Sequence, residues 1–329
     1  MKKSTAAQCV GGILFTILGV SPAQAEVPTV RIATPFATGH ILADAAFKIK
    51  DILDGKGFHV IVATSVLNEQ TINPAMMACD PNQRVADVMI TGGQPIQDWA
   101  PAYFFFNGPY VIEDYDHFLG VWDSHLGAEA RALMTQNGNL RAVGTVYRGF
   151  RQFTSNEPIN GPADFVGLEL RLPPVPDWVA VWSSLGAVPV QIPLGGIYNA
   201  LRDGVADASE GDLTQITSLR LYEVQSHLSL TNHLVGFGLA MANECYLSSL
   251  NNGRQKKLTR AIEDAVEFAT DKMADTEAAQ LANLQTGVTP PMTVVTPNAA
   301  AIRAAAEPAI NNLFATKWTV TTWAEVLSY

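Results

Sequence analysis

The chain has 329 residues, 48% of them hydrophobic, and carries a formal charge of −10 at pH 7. That length can bury a large core and ordinarily divides into two domains of roughly 150 residues each. The acidity argues against nucleic acid as a partner, and it requires any anion binder with this surface to hold a local positive pocket.

The chain opens with Lys2 and Lys3, an apolar stretch from Val10 to Val20, and then Ser21-Pro22-Ala23-Gln24-Ala25. A basic start, an apolar run too short to span a bilayer and an A-x-A ending read as a secretory signal peptide over residues 1–25, cut after Ala25. The alternative is a retained membrane anchor. Cys9 precedes the apolar stretch, the wrong place for a lipoprotein cysteine. Cleavage leaves 304 residues and moves the formal charge to −12, because two lysines and no acidic residue depart. No later stretch approaches the roughly 20 apolar residues of a spanning helix, so the expected product is an exported, soluble, periplasmic protein. Cys79 and Cys245 stay in it, as one disulfide or as two buried thiols.

In chain order, Val27 to Ala33 predicts a β-branched strand that ends in a loop through His40, and Ile41 to Leu53 has apolar residues at helical spacing. Phe58 to Ala63 predicts a second strand, Pro74 to Ala78 a helical stretch, and Ala86 to Thr91 a third strand closed by Gly92-Gly93-Gln94-Pro95. This alternation favours a parallel sheet with helices on its faces, where ligands gather at strand ends. Leu140 to Tyr147 and Leu168 to Leu172 predict further strands, with a second α/β unit starting near Asn160-Gly161-Pro162. Gly236-Phe237-Gly238 reads as a turn. From Arg254 to Thr286 there is neither Gly nor Pro, and Leu258, Ala261, Ile262, Ala265, Val266, Ala269, Met273 and Leu281 recur at helical spacing. One helix of that extent would be about 50 Å long.

Chemical signatures are sparse. The chain has no G-x-S-x-G elbow, P-loop, H-E-x-x-H or C-x-x-C, and its six histidines include no i, i+4 pair that favours metal ligation. No cofactor, metal site or catalytic residue is expected. Arginine is the exception. Arg151 lies beside Gly149-Phe150, and Arg171 sits in the strand-like run Leu168-Glu169-Leu170-Arg171-Leu172. A buried charge is costly without a partner, so Arg171 pairs either with a protein carboxylate or with a ligand. A guanidinium suits the second role because its fork of donors matches a carboxylate in two parallel hydrogen bonds.

The stretch from Tyr147 to His233 resembles the solute-binding proteins of TRAP transporters, the tripartite ATP-independent periplasmic group that includes binders of dicarboxylates and of sialic acid. The matching runs include Gly149-Phe150-Arg151-Gln152, Gly167-Leu168-Glu169-Leu170-Arg171-Leu172-Pro173, Leu185-Gly186-Ala187, Pro193-Leu194 and Tyr198-Asn199-Ala200-Leu201. Gly108-Pro109-Tyr110 extends the likeness upstream. It implies the periplasmic binding protein fold, two α/β lobes with a hinge and a long inter-lobe helix. Lobe 1 would be residues 26–148 plus 237–275, and lobe 2 residues 149–236 plus 276–329. The arginine of Gly-Leu-x-x-Arg-x-Pro, here Arg171, is the implied carboxylate clamp, and Arg151 a second contact or a support. Implied partners are a small organic-acid ligand and the membrane permease subunits of the transporter, with a monomeric binding protein.

Departures from the family pattern bear on the ligand. Gly211 replaces an asparagine in Asp207-Ala208-Ser209-Glu210-Gly211-Asp212, so a side-chain amide is expected to be missing there, and Pro174 stands where Asn or Ser is frequent. Trp178 and Trp182 are expected on an apolar wall, Leu194 and Asp212 among the ligand contacts with Gly211, and His40, Glu69, Gly92, Gly93 and Gln94 on the facing lobe. The expected ligand is a monocarboxylate or 2-oxo acid with an apolar or aromatic tail. Two rival classes are a secreted hydrolase or lyase with Glu210 or Asp212 as general base, and a ligand-sensing partner of a membrane receptor.

Overall fold

A computed structural model describes residues 27–329; the segment read as a signal peptide lies outside them. The first lobe runs through β1 (Thr29–Ala33), α1 (Ile41–Leu53), β2 (His59–Ala63), α2 (Glu69–Ala75), β3 (Val88–Thr91), α3 (Gln94–Trp99), α4 (Tyr115–Asp123) and α5 (His125–Gly138). A long strand, β4 (Leu140–Ser155), leads into β5 (Glu169–Leu172), α6 (Pro176–Ser184), β6 (Val188–Gln191), α7 (Ile197–Arg202), β7 (Ala208–Gly211) and α8 (Leu213–Ser218). A second long strand, β8 (His227–Asn243), returns to α9 (Glu244–Ser249) and α10 (Asn252–Ala282). The chain then adds β9 (Thr293–Val295), α11 (Ala299–Thr316) and α12 (Trp323–Val326).

The strands form one sheet in the order β2-β1-β3-β8-β4-β7-β5-β6, with β9 beside β8. Pairing is parallel among β1, β2 and β3 and among β5, β6 and β7, but β8 runs antiparallel to both β3 and β4, and β4 antiparallel to β7. The sheet is therefore mixed rather than parallel, because the chain crosses between lobes twice, on β4 and on β8. Leu140 pairs with Asn243 at one end of this crossing ribbon and Ser155 with His227 at the other. β4 continues eight residues past its expected end at Tyr147, through bulges next to Gly149 and Gln152. Gly149 has φ +81°, a conformation costly for other residues.

Gly236-Phe237-Gly238, read as a turn, lies inside β8. The glycines serve close packing: a Cβ on Gly236 would stand 2.5 Å from the Gly149 carbonyl oxygen, and one on Gly238 would stand 2.4 Å from Leu42. The helix expected near Pro74 starts earlier, because the Asn68 side chain accepts the Thr71 N–H (3.0 Å) and caps it. That shift puts Glu69 in the first turn.

α10 keeps its expected apolar stripe, from Leu258 to Met273, buried against β4 and α1. Its 31 residues reach about 46 Å. Its Glu277 accepts the Phe150 N–H (3.1 Å) and the Tyr147 hydroxyl (3.0 Å), so the long helix satisfies the backbone where β4 bulges. The main core spans both lobes, and a smaller one around Ile197, Ile216, Leu284 and Met292 belongs to the second. Cys79 and Cys245 form a disulfide that ties the loop after α2 to α9. Among the described residues no helix is long and apolar enough to cross a membrane.

Candidate functional site

Arg148 and Arg151 on β4 and Arg171 on β5 line one cleft between the lobes. Three guanidinium groups in one pocket would repel one another unless anions compensate them. Two of the three are compensated.

Arg151 is held by Glu210 of β7 through a fork, Nε to Oε2 at 2.5 Å and Nη2 to Oε1 at 2.8 Å. Its guanidinium lies 5.2 Å from the centre of the Trp178 ring. Burial alone would raise the Glu210 carboxyl, but the charge of Arg151 and a contact from His233 hold it at about 2. Arg148 donates from Nη2 to Asp212 Oδ2 (2.8 Å) and stacks over the Phe36 ring at 4.5 Å. Asp212 also caps α8, accepting the Gln215 N–H (2.8 Å) and the Thr214 hydroxyl (2.6 Å) on Oδ1. Burial opposes ionisation of Asp212, yet Arg148 and His40 keep its carboxyl well below the usual range.

Arg171 differs. It is 2% exposed, its Nε donates to the Ile192 carbonyl (2.8 Å), and among the described residues no carboxylate lies within ion-pair distance. Burial pushes its pKa down to about 9, with Glu210 opposing only from a distance. The group is still a cation at neutral pH, and the residue lines the cleft.

The opposite wall comes from the first lobe. Glu69 accepts the Gly92 N–H (2.8 Å) and, more weakly, the Thr91 hydroxyl (3.3 Å). Turned to suit its neighbours, the Gln94 amide donates to both Glu69 oxygens, at 3.1 and 2.5 Å, and accepts from Gln70. A Cβ on Gly92 would stand 2.4 Å from Glu69 Oε1, so a side chain there would push the carboxylate aside.

The cleft wall thus gathers Arg171, Arg151, Trp178, Leu194, Glu69, Gly92, Gly93 and Gln94, all expected there. Trp182, expected on the apolar wall, is instead fully buried against Phe153 and Phe165. Four expected ligand contacts also fall elsewhere. His40 is fully buried behind the wall; its Nδ1 accepts the Leu42 N–H (3.1 Å) as the cap of α1, which leaves the ring proton on Nε2, 3.5 Å from Asp212. Asp212 is also fully buried, turned toward Arg148. The Val175 N–H to Pro173 carbonyl bond (2.7 Å) tightens the chain so that Pro173 and Val175 line the cleft and Pro174 does not. At Gly211 the missing side chain leaves room for Gln215: a Cβ there would stand 2.5 Å from its Nε2, which donates to the Glu210 carbonyl (3.2 Å). The amide expected to be lost is supplied from α8, and Gln215 lines the cleft. Arg148, Phe36, Asn107 and Phe237 also line it and were not expected. Arg148 sits three residues before Arg151 with the same Gly and aromatic neighbours, so its sequence signal was present. Glu210 and Asp212 are ill suited as general bases, since both are buried and ion-paired. Among the described residues no cluster of His, Cys, Asp and Glu is arranged to hold a metal.

Residues 73–317 match the family model described as bacterial extracellular solute-binding protein, family 7. A solute-binding protein of Roseobacter denitrificans is 30% identical over 224 residues, 68% of each chain. The sialic acid-binding periplasmic protein of Vibrio cholerae is 31% identical over 180 residues, 55% of this chain and 56% of its own length. Among solved structures, a TRAP periplasmic solute binding protein from Roseobacter denitrificans with bound L-galactonate superposes with a TM-score of 0.77 at 26% identity, covering 87% of this chain and 94% of that one. One from Shewanella oneidensis with bound succinate superposes at 0.82 with 18% identity, covering 92% and 98%, and supports the fold alone.

Proposed function

This chain belongs to the bacterial extracellular solute-binding proteins of family 7, whose members serve TRAP transporters and are not enzymes, and we propose that it captures a small monocarboxylate on Arg171 and delivers it to a membrane permease. The observation that carries this reading is a buried guanidinium lining the cleft with no carboxylate of its own among the described residues. A ligand carboxylate completes its hydrogen bonds and removes an uncompensated charge. Arg151 is already saturated by Glu210 and supports the pocket. The Roseobacter relative with bound L-galactonate is consistent with an acid ligand. Phe36, Phe237, Trp178 and Leu194 form the apolar part of the wall and suit the apolar or aromatic tail of a monocarboxylate or 2-oxo acid.

Lobe 1 (residues 26–148 plus 237–275) and lobe 2 (residues 149–236 plus 276–329) close on the ligand by bending at the β4 and β8 crossing. Closure excludes water and strengthens the ion pair, because effective permittivity falls. Micromolar binding needs about 8 kcal/mol net, within reach of one charge-assisted pair plus burial of a small tail. The protein is exported to the periplasm by residues 1–25 and works as a monomer. Native mass spectrometry of the purified protein, with identification of any small molecule released on denaturation, names the ligand. Calorimetry with that ligand then shows affinity falling about a hundredfold or more in Arg171→Ala; unchanged affinity rejects the assignment.

A further inference from the structure

The cleft presents one more unpaired charge than the arginines account for. With Arg148 held by Asp212 and Arg151 by Glu210, the groups left without an ionic partner are Arg171 on the second lobe and Glu69 on the first. Every hydrogen-bond partner of Glu69 is neutral: the Gly92 N–H, the Thr91 hydroxyl and the Gln94 amide. These contacts fix the carboxylate in place and leave Oε2 with free acceptor capacity. A ligand that fills the space between Arg171 and Glu69 therefore meets a cation at one end and a fixed anion at the other.

We propose that Glu69 is the residue that sets the ligand's second functional group, so that the cleft takes an acid bearing one carboxylate and, at the far end of its otherwise apolar tail, one hydrogen-bond donor, hydroxyl or ammonium, and rejects dicarboxylates. The proposal rests on Arg171 as the carboxylate clamp. A second ligand carboxylate would face Glu69 in a water-poor cleft, where like charges repel strongly. A hydroxyl or ammonium would instead donate to Oε2. Burial raises the Glu69 carboxyl, while the charges of Arg148 and Arg151 and the Gly92 N–H and Thr91 hydroxyl favour its ionised form, the form that repels a second anion.

The test is calorimetry with acids that differ only at the end remote from the carboxylate: butanoate, 4-hydroxybutanoate, 4-aminobutanoate and succinate, with the six-carbon equivalents as a second series. The wild-type protein should bind the hydroxy or amino member about tenfold or more tighter than the dicarboxylate of the same length. Whichever of the two binds tighter identifies the donor. In Glu69→Gln that ratio should shrink about tenfold, the dicarboxylate gaining and the ammonium member losing. Glu69→Asp keeps the charge and should keep the preference, which separates charge selection from a packing defect. A wild type that prefers the dicarboxylate, a ratio unchanged in Glu69→Gln, or no binding of any member by either protein overturns the proposal. Arg171→Ala distinguishes the two failures, since it abolishes capture of every acid if the clamp stands, whatever Glu69 does.

Discussion

Two ends of the same cleft treat buried arginine in opposite ways. Beside the crossing strands, Arg151 and Arg148 meet Glu210 and Asp212 at hydrogen-bond distance, and His233 and His40 stand 3.5 Å behind those carboxylates. At the β5 end, Arg171 is as deeply buried and finds one carbonyl. The paired arginines link strands that meet only in the folded chain, so they belong to the fold. The unpaired one costs the empty protein stability, a cost that a ligand offsets. The same side chain is structural or functional according to whether the chain supplies its counter-ion.

The contrast breaks most sharply if a counter-ion is removed from the saturated end. Glu210→Ala leaves Arg151 buried near Arg148 and Arg171, and should lower the unfolding free energy by about 3–5 kcal/mol in a denaturant titration. A loss well under 1 kcal/mol would show that the pair is not part of the framework. Acid should erode the same contribution. Glu210 is held at about 2 against an ordinary 4.5, so its stabilisation is complete above roughly pH 4.5 and drains away as pH falls toward 2. At the other end the sign reverses: Arg171→Ala should leave the melting temperature of the empty protein unchanged or higher, while wild type alone gains stability on adding ligand. A marked fall in the empty variant would mean that Arg171 has a structural partner after all.

The same distinction explains what could be read from the sequence. α1 was legible to the residue, because an apolar stripe at helical spacing begins and ends it. The long α10 was legible from its stripe and from the lack of Gly and Pro between Arg254 and Thr286, although the helix itself begins at Asn252, takes in Gly253 and ends at Ala282. Arg171 stood out as a charge in a buried strand. β8 was not legible, since its two glycines imitate a turn and are explained only by the approach of β4 and α1, far away in sequence. Arg148 was passed over and Asp212 placed on the wrong surface for one shared reason: their ion pair joins residues 64 positions apart. Gln215 was missed because it fills space that Gly211 leaves one turn earlier. Which side chains are saturated is settled by long-range pairing, and local pattern carries little trace of it.

The smallest effect expected is also the most direct reading of the open end. Burial without a counter-ion lowers the Arg171 pKa to about 9 in the empty protein, and a bound carboxylate favours the charged form and raises it again. Ligand therefore binds the protonated guanidinium. Below pH 9 that form dominates and the affinity stays level while the ligand itself is ionised. Above it each pH unit should weaken binding about tenfold, or about 1.4 kcal/mol, until the raised pKa of the complex is reached. A guanidinium saturated like Arg151, whose pKa lies above its ordinary value, would give no such slope. Calorimetry from pH 7 to pH 10, repeated in buffers of different protonation enthalpy, should show proton uptake on binding only at the alkaline end. A flat profile across that range would show that the buried guanidinium keeps its proton to pH 10 without a counter-ion, and would leave the asymmetry to be decided by the Arg171→Ala comparison.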